Sequence, residues 1–363
     1  MGIPFHSKLR RTLRNGMNGL IMRLSKRELN QQYIDPSQVK RILVIRINYR
    51  IGNILFLTPL LQAIAKRMPD AQVDLLIGAN YVAPLMQPIA NVGEVYDAPR
   101  NLLKNPFKLY SKVKIINQNN YDLIISPVVA SGSANITTML LKAKHKLGFY
   151  DEHNWNAADI TVPYPVTIEH EALKPLALMA VFEQQPIDDY AKVLDIQLSA
   201  QEQALGRAAI MKLVAEQKPQ QNIDKAIYIA LFRDARHDKK IPDSWWQTYI
   251  EKLSNQLAPV IIFDILAPDM TRKLTDQSIA VAIKNLRELA GCLSAMQVFI
   301  CADTGPMHLA CAAQTPVVAL FNATSPSIYG PLGARDKVID MVDNNIDEVV
   351  NLTKNHVQQL ISL

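Results

Sequence analysis

The chain has 363 residues, 49% of them hydrophobic, with 39 basic side chains against 33 acidic ones. That length and apolar content suit two domains with substantial cores and exclude a disordered or low-complexity protein. Cys292, Cys301 and Cys311 have no CxxC spacing and an odd count, which argues against a disulfide framework or a thiolate metal site and for buried thiols in a reduced compartment.

In chain order the first feature is a basic arm, residues 1–38. Seven basic residues and no acidic one precede Glu28, and the remaining charges nearly cancel. Leu9, Leu13, Met17, Leu20, Ile21 and Leu24 recur at helical spacing with the basic residues mostly on other faces, the pattern of an interfacial helix on anionic lipid. Gly16 and Gly19 each weaken such a helix by about 1 kcal/mol relative to alanine, and a helix docked on the body is the plainer alternative. Aromatic side chains for base stacking are nearly missing, against a nucleic-acid arm. Glycines and arginines interrupt any secretory apolar core, and no apolar run approaches the ~20 residues needed to span a bilayer.

From Arg41 short apolar strands alternate with amphipathic helices. Strands are expected at Ile42–Ile47, Val73–Ile77 and Leu123–Ser126, with helices at Ile54–Lys66 and Ala79–Ile89. Residues 150–166 read as loops, Ala172–Phe182 as an apolar helix and Gln184–Asp188 as a linker. A second set follows: helix Glu202–Glu216, strand Ala226–Phe232, helix Trp245–Leu253, strand Val260–Asp264, helix Leu289–Gln297 and strand Val298–Cys301. The class is therefore α/β with parallel sheets covered on both faces.

The most informative stretch, DTGPMHLACAAQTPVVALFNATSPSIYGPLG, runs from Asp303 to Gly333. It sets a strand-to-helix turn at Thr304 and Gly305, ahead of a buried helix Met307–Ala313. Unpaired N–H groups at a helix start, the positive end of its dipole and a glycine that admits a ligand suit a phosphate or pyrophosphate. Such a turn also caps helices for structural reasons alone.

This string resembles the C-terminal signature of glycosyltransferase family 9, the lipopolysaccharide heptosyltransferases. Arg41–Arg46 with Ile51-Gly-Asn-Ile-Leu55 and Thr58-Pro-Leu-Leu61 resembles the family's opening strand, GD turn and first helix. Lys239-Lys-Ile-Pro-Asp-Ser-Trp-Trp246 is similar to its K-x-W-P-x-x-x-W segment, with Ile241 replacing the first tryptophan. The resemblance implies a GT-B fold: two doubly wound Rossmann-like domains facing a cleft, with residues 39–184 binding the acceptor and residues 185–345 the nucleotide sugar. A closing helix in residues 346–363 would pack back on the N-terminal domain. It further implies inverting, metal-independent transfer of heptose from ADP-heptose to a lipid A-core acceptor on the cytoplasmic face of the inner membrane, with no cofactor beyond the donor. The segments Asp264–Asp269 and Ile283–Leu289 depart from the family's Gly-rich, glutamate-bearing pattern for adenosine, so base and sugar stay open.

On that resemblance Thr304 and Gly305 bind the pyrophosphate, Asp303 accepts from sugar hydroxyls and Lys239 neutralises the leaving phosphate. Thr324 and Ser325 form a second loop over the donor, Ser325 doubling as a helix cap. His308 either faces the nucleotide or fills the packing between domains. Gly52 and Arg50 lie on the acceptor side. The family's proposed base is the aspartate of its GD turn, and here that position is Asn53, whose amide cannot take a proton at neutral pH. Three possibilities follow: another base, with Asp234, His237 and Asp238 as candidates; an orienting role for Asn53, with positioning and charge supplying the rate; or loss of transfer. The last corresponds to a non-catalytic, membrane-associated nucleotide-sugar-binding protein. A protein heptosyltransferase fits less well because its extra metal-binding cysteines are missing. Absence of G-x-G-x-x-G in the first turn and of a Walker loop argues against an oxidoreductase or P-loop enzyme.

Overall fold

The computed structural model describes residues 29–100, 102, 105–182, 189–217, 226–257 and 259–362. The stretch of the basic arm expected to be an interfacial helix and the expected linker at 184–188 lie outside the described residues. Strands β1 (Arg41–Arg46), β2 (Gln72–Ile77), β3 (Val92–Asp97), β4 (Tyr121–Ser126), β5 (Ala143–Tyr150) and β6 (Ile160–Pro163) form one sheet in the order β3-β2-β1-β4-β5-β6. Strands β7 (Ile227–Phe232), β8 (Val260–Ile265), β9 (Ile279–Val281), β10 (Val298–Ala302), β11 (Val317–Phe321) and β12 (Lys337–Asp340) form the second, in the order β12-β11-β10-β7-β8-β9. All pairings within both sheets are parallel. Central strands such as Ile42–Ile45 are apolar throughout and fully buried, because helices cover both faces.

Each sheet reverses its winding once, between β1 and β4 and between β7 and β10. Crevices that receive ligands open at the carboxyl ends of strands at such switch points. The turn after β1 and the Asp303–Gly305 turn after β10 both lie there, and the two motifs meet where Gly52 packs against His308 and Gly305 against Ile51.

Several expected elements differ in detail. The helix expected at Ile54–Lys66 is two, α1 (Ile51–Leu55) and α2 (Thr58–Arg67). Pro59 has no N–H for the Leu55 carbonyl, and the Thr58 hydroxyl donates to that oxygen instead at 2.9 Å. Ala79–Ile89 is likewise split into a 3-10 turn, Asn80–Val82, and α3 (Ala83–Met86), which carries Pro84. The apolar segment near 172–182 is buried as expected but wound as a 3-10 helix, Lys174–Val181. Residues 150–166 hold strand β6, which the loop assignment missed. The remaining helices are α4 (Pro106–Asn117), α5 (Gly132–Leu140), α6 (Ala200–Gln217), α7 (Asp243–Leu257), α8 (Leu286–Leu293), α9 (Gly305–Ala312), α10 (Pro326–Tyr329) and α11 (Ile346–Ile361).

The closing helix α11 packs on α7 of its own domain, not back on the N-terminal one. Its buried face, Val349, Val350 and Val357, joins Trp246, Tyr249 and Leu253, and the Tyr249 hydroxyl donates to Thr353 Oγ1 at 2.8 Å inside that contact.

The domains share a continuous apolar core that includes Ile54 and Phe56 on one side and Met307 and Ala310 on the other. At one end of the interface Arg287 is buried. Its guanidinium donates to the carbonyls of Leu85, Ile196 and Gln197 and twice to the Glu202 carboxylate, at 2.6–3.3 Å. The arginine holds the Glu202 carboxyl well below its ordinary range, at about 2.

Candidate active site

Strands β7, β10 and β11 are neighbours, so the loops leaving their carboxyl ends converge. Lys239 comes from the 3-10 turn His237–Lys239 after β7, Asp303 from the end of β10 and Thr324 from the loop after β11. Lys239 Nζ and Thr324 Oγ1 both donate to Asp303 Oδ2. Asp303 is buried while Lys239 keeps about a third of its side chain exposed to the cleft. Asp303, expected to meet sugar hydroxyls, thus has one carboxylate oxygen committed to holding a lysine and a threonine in register. A further tie joins the first and third loops, where Asn322 Nδ2 donates to the Asp238 carbonyl at 3.1 Å.

The other candidates on this loop separate. Asp238 is exposed, and the His237 side chain lies outside the described part of the structure. Asp234 stands 4.0 Å from Lys240 on the surface. Arg233 is buried and anchors α7 by donating to Asp264 at 3.3 Å and Asp243 at 2.8 Å.

Helix α9 starts at Gly305, with Thr304 as an extended N-cap (φ −150°, ψ 163°) whose hydroxyl makes no capping bond. Pro306 has no N–H, and Met307 N already bonds to the Thr304 carbonyl. Gly305 N–H is left at the helix mouth for an anion. In α10, Ser325 is the N-cap by backbone only, since its hydroxyl contacts Ser327 Oγ at 2.9 Å rather than a backbone N–H.

His308 fills the packing between domains. Its ring meets the Phe56 ring edge-on at 4.7 Å, and burial pushes its pKa down to about 3, so it is neutral at physiological pH. Its Nδ1 is buried with no hydrogen-bond partner. The two motif glycines allow this contact: a Cβ on Gly52 would lie 2.4 Å from His308 Cδ2, and one on Gly305 would lie 2.4 Å from Ile51 Cγ2. Gly305 therefore serves the opposite domain as well as any ligand. Because His308 is buried and cannot swing aside, Gly52→Ala is expected to cost about 1–3 kcal/mol through overpacking, read as a lowered Tm.

In the first domain the turn after β1 is closed on itself. Asn48 Oδ1 accepts from Arg50 N at 2.9 Å and from Asn53 Nδ2 at 3.2 Å, so the Asn53 amide is directed into its own loop. Arg46 Nε donates to the Asn53 carbonyl at 3.1 Å, and the Arg50 side chain is exposed.

Next to this turn stands a group that local sequence patterns did not expose. The segment His170–Lys174 crosses to the second domain: His170 Nε2 donates to the Gly330 carbonyl at 2.9 Å, and Glu171 N to that of Ile328 at 3.1 Å. His170 Nδ1 accepts from Ala172 N at 3.1 Å, which fixes the neutral tautomer, and burial holds its pKa below the ordinary value. The Glu171 carboxylate accepts from Lys174 Nζ at 2.5 Å and interacts electrostatically with Arg46. Glu171 thus lies between the loop that carries α10 and the strand end at Arg46 that leads into the turn holding Asn53. Its only sequence signal was a His-Glu pair with a lysine, opening an otherwise apolar stretch.

Two doubly wound sheets whose switch-point loops face one another across a packed helix pair define the GT-B architecture, with Lys239, Asp303 and Thr324 gathered on the loops of the second sheet. The family model of glycosyltransferase family 9 (heptosyltransferase) matches residues 110–357, and the chain belongs to that family. The matched range contains the Lys239 and Asp303 motifs, and the opening turn lies before it. Lipopolysaccharide heptosyltransferase 3 of Escherichia coli is 22% identical over 295 residues, 77% of this chain and 83% of that protein. The crystal structure of the glycosyl transferase family 9 from Veillonella parvula DSM 2008 has a TM-score of 0.73 at 16% identity, covering 90% of this chain and 99% of that one. E. coli heptosyltransferase WaaC with ADP gives 0.68 at 18%, covering 88% and 99%. At such identities the solved structures establish the fold alone.

Proposed function

We propose that the protein is an inverting, metal-independent glycosyltransferase that moves heptose from ADP-heptose to a lipopolysaccharide core acceptor, working at the cytoplasmic face of the inner membrane. The observation that carries this proposal is the convergence of Lys239, Asp303 and Thr324 beside the start of α9, with the His170–Glu171 segment of the other domain bonded to the loop after β11 that also carries Thr324. ADP is the nucleotide named for the WaaC structure, and lipopolysaccharide is the acceptor class named for the curated relative.

In this mechanism the diphosphate binds at Gly305 N–H, Thr304 and Lys239, where fixed positive charge meets the negative charge that develops on the leaving group. Asp303 and Thr324 hold Lys239 ready, so little reorganisation is needed in the transition state. The acceptor hydroxyl oxygen bonds to the anomeric carbon as the carbon–oxygen bond to phosphate breaks on the opposite face, inverting the centre. Its proton passes to the Glu171 carboxylate, which Lys174 holds, and then to solvent. Asn53 positions the turn through Asn48 and takes no proton.

The rival is a donor-binding protein without transfer, which the amide at position 53 favours. Calorimetric titration with ADP, UDP, GDP and CMP, followed by a transfer assay, separates the two. Selective ADP binding that is lost in Thr304→Pro, together with turnover, is the expected result. Preference for another nucleotide would replace the heptose assignment, binding without turnover would leave the rival, and no binding would remove both.

A further inference from the structure

Helices α4 and α5 cover the same side of the first sheet, where Leu109, Val113, Ile116 and Ala134 pack with Leu43 and Ile124. Lys142 N donates to Asn117 Oδ1 at 2.8 Å and ties their ends together. Single exposed apolar residues are ordinary on protein surfaces. This face differs in combining them with a local surplus of one charge. Phe107 is 87% and Tyr110 70% exposed, three residues apart on α4, and Ile115 and Met139 are exposed beyond them. From Arg100 to Lys146 the chain has eight basic residues and one acidic, Asp122, which Lys144 already pairs at 2.7 Å. Lys108, Lys114 and Lys142 are exposed. The near balance of charge after the N-terminal arm therefore conceals a strongly basic face on the body.

The face also has a direction. Helix α4 returns antiparallel to the strands, so its Phe107 end lies at the carboxyl ends of the first sheet. There the Arg100 guanidinium stacks 4.8 Å from the ring of Tyr49, in the turn after β1. The aromatic end of the patch thus adjoins the acceptor side of the cleft.

We infer that the outer face of α4 and α5 seats the protein on an anionic lipid bilayer, with Phe107 and Tyr110 entering the interface and Lys108, Lys114 and Lys142 pairing with headgroups. Aromatic rings settle at headgroup depth, and each lysine near an anionic surface adds to the attraction. A single nucleic-acid strand would need a charged groove to follow, and this surface is the convex outside of two helices. Seating here sets the acceptor turn beside the membrane. The inference rests on exposure and charge and needs no assumption about the sugar donor.

The test uses the full chain and vesicles of phosphatidylcholine with and without phosphatidylglycerol. The three native cysteines are buried, so Tyr110→Cys supplies one reactive site for an environment-sensitive fluorophore. Its emission is expected to shift to the blue and intensify with phosphatidylglycerol vesicles only. In parallel, Phe107→Ser with Lys108→Glu and Lys114→Glu is expected to lower cosedimentation with those vesicles by about 10-fold or more. Lys212→Glu with Lys337→Glu, on exposed surface elsewhere, should leave cosedimentation unchanged. Unchanged binding of the triple variant, which would assign attachment to the N-terminal arm, overturns the inference. So does an unresponsive label, a change in oligomeric state in place of vesicle binding, or binding to a single-stranded oligonucleotide but not to vesicles. Calorimetric nucleotide binding by the triple variant checks its fold and reads the donor site separately.

Discussion

Lys239→Ala is expected to lower kcat for sugar transfer by about 10²–10³-fold, the loss typical when one preorganised electrostatic group is removed from a developing anion. Its ammonium is held by Asp303 beside the start of α9, and among the described residues no other lysine or arginine pairs with that carboxylate. Lys240→Ala should be silent, because Lys240 lies on the surface near Asp234. The substitution also strips a buried carboxylate of its cation, which by itself destabilises the fold. The double variant Lys239→Ala/Asp303→Asn removes both charges while leaving Thr324 an acceptor. It is expected to recover thermal stability without recovering transfer. Steady-state release of the nucleoside diphosphate, run beside thermal denaturation, separates the two effects. Full transfer in both Lys239→Ala and Asp303→Ala would sink the proposed chemistry.

Glu171→Gln is expected to lower kcat by about 10²–10⁴-fold, the range general-base help contributes, with KM for both substrates changed little. The amide keeps the size of the side chain, and the backbone bond from residue 171 to Ile328 does not involve it. A structural role would therefore predict a stability loss, whereas loss of the base predicts an intact fold with slow turnover. Partial recovery in Glu171→Asp would support the assignment. Normal turnover in Glu171→Gln combined with slow turnover in Asn53→Ala would instead return the proton question to the turn after β1.

The fold was legible where burial made the residues uniform. Ile42–Ile45 and Val298–Cys301 read directly as central strands because both faces of each sheet are covered. Edge elements were not: β3 is only partly buried, and β6 is four residues ending in a proline. The DTG turn could be found because strand, turn and helix are contiguous. The cluster it belongs to could not, because Lys239 and Thr324 reach Asp303 across separations of 64 and 21 residues. His308 was ambiguous for a similar reason. Its surroundings are set by a glycine and a phenylalanine in the other domain, which no local window contains. Glu171 has no motif, and its place follows from two backbone bonds to the second domain rather than from its neighbours in the chain.

Arg287 gives the interface a fulcrum. It grips Leu85, which follows β2, whereas His170 and Glu171 follow β6, and these strands lie on opposite sides of β1. On the arginine's side the chain itself crosses between the domains and is tied to the first one, Ala90 N donating to Gln197 Oε1 at 2.8 Å and Gln62 Nε2 to the Val193 carbonyl at 3.2 Å, while parting the domains at the other side breaks the two bonds to Ile328 and Gly330. Widening the cleft is thus cheapest as a swing about Arg287. Such a swing carries Glu171 away from the loop that holds α10, so the proton acceptor proposed above would be in place only when the jaws are shut.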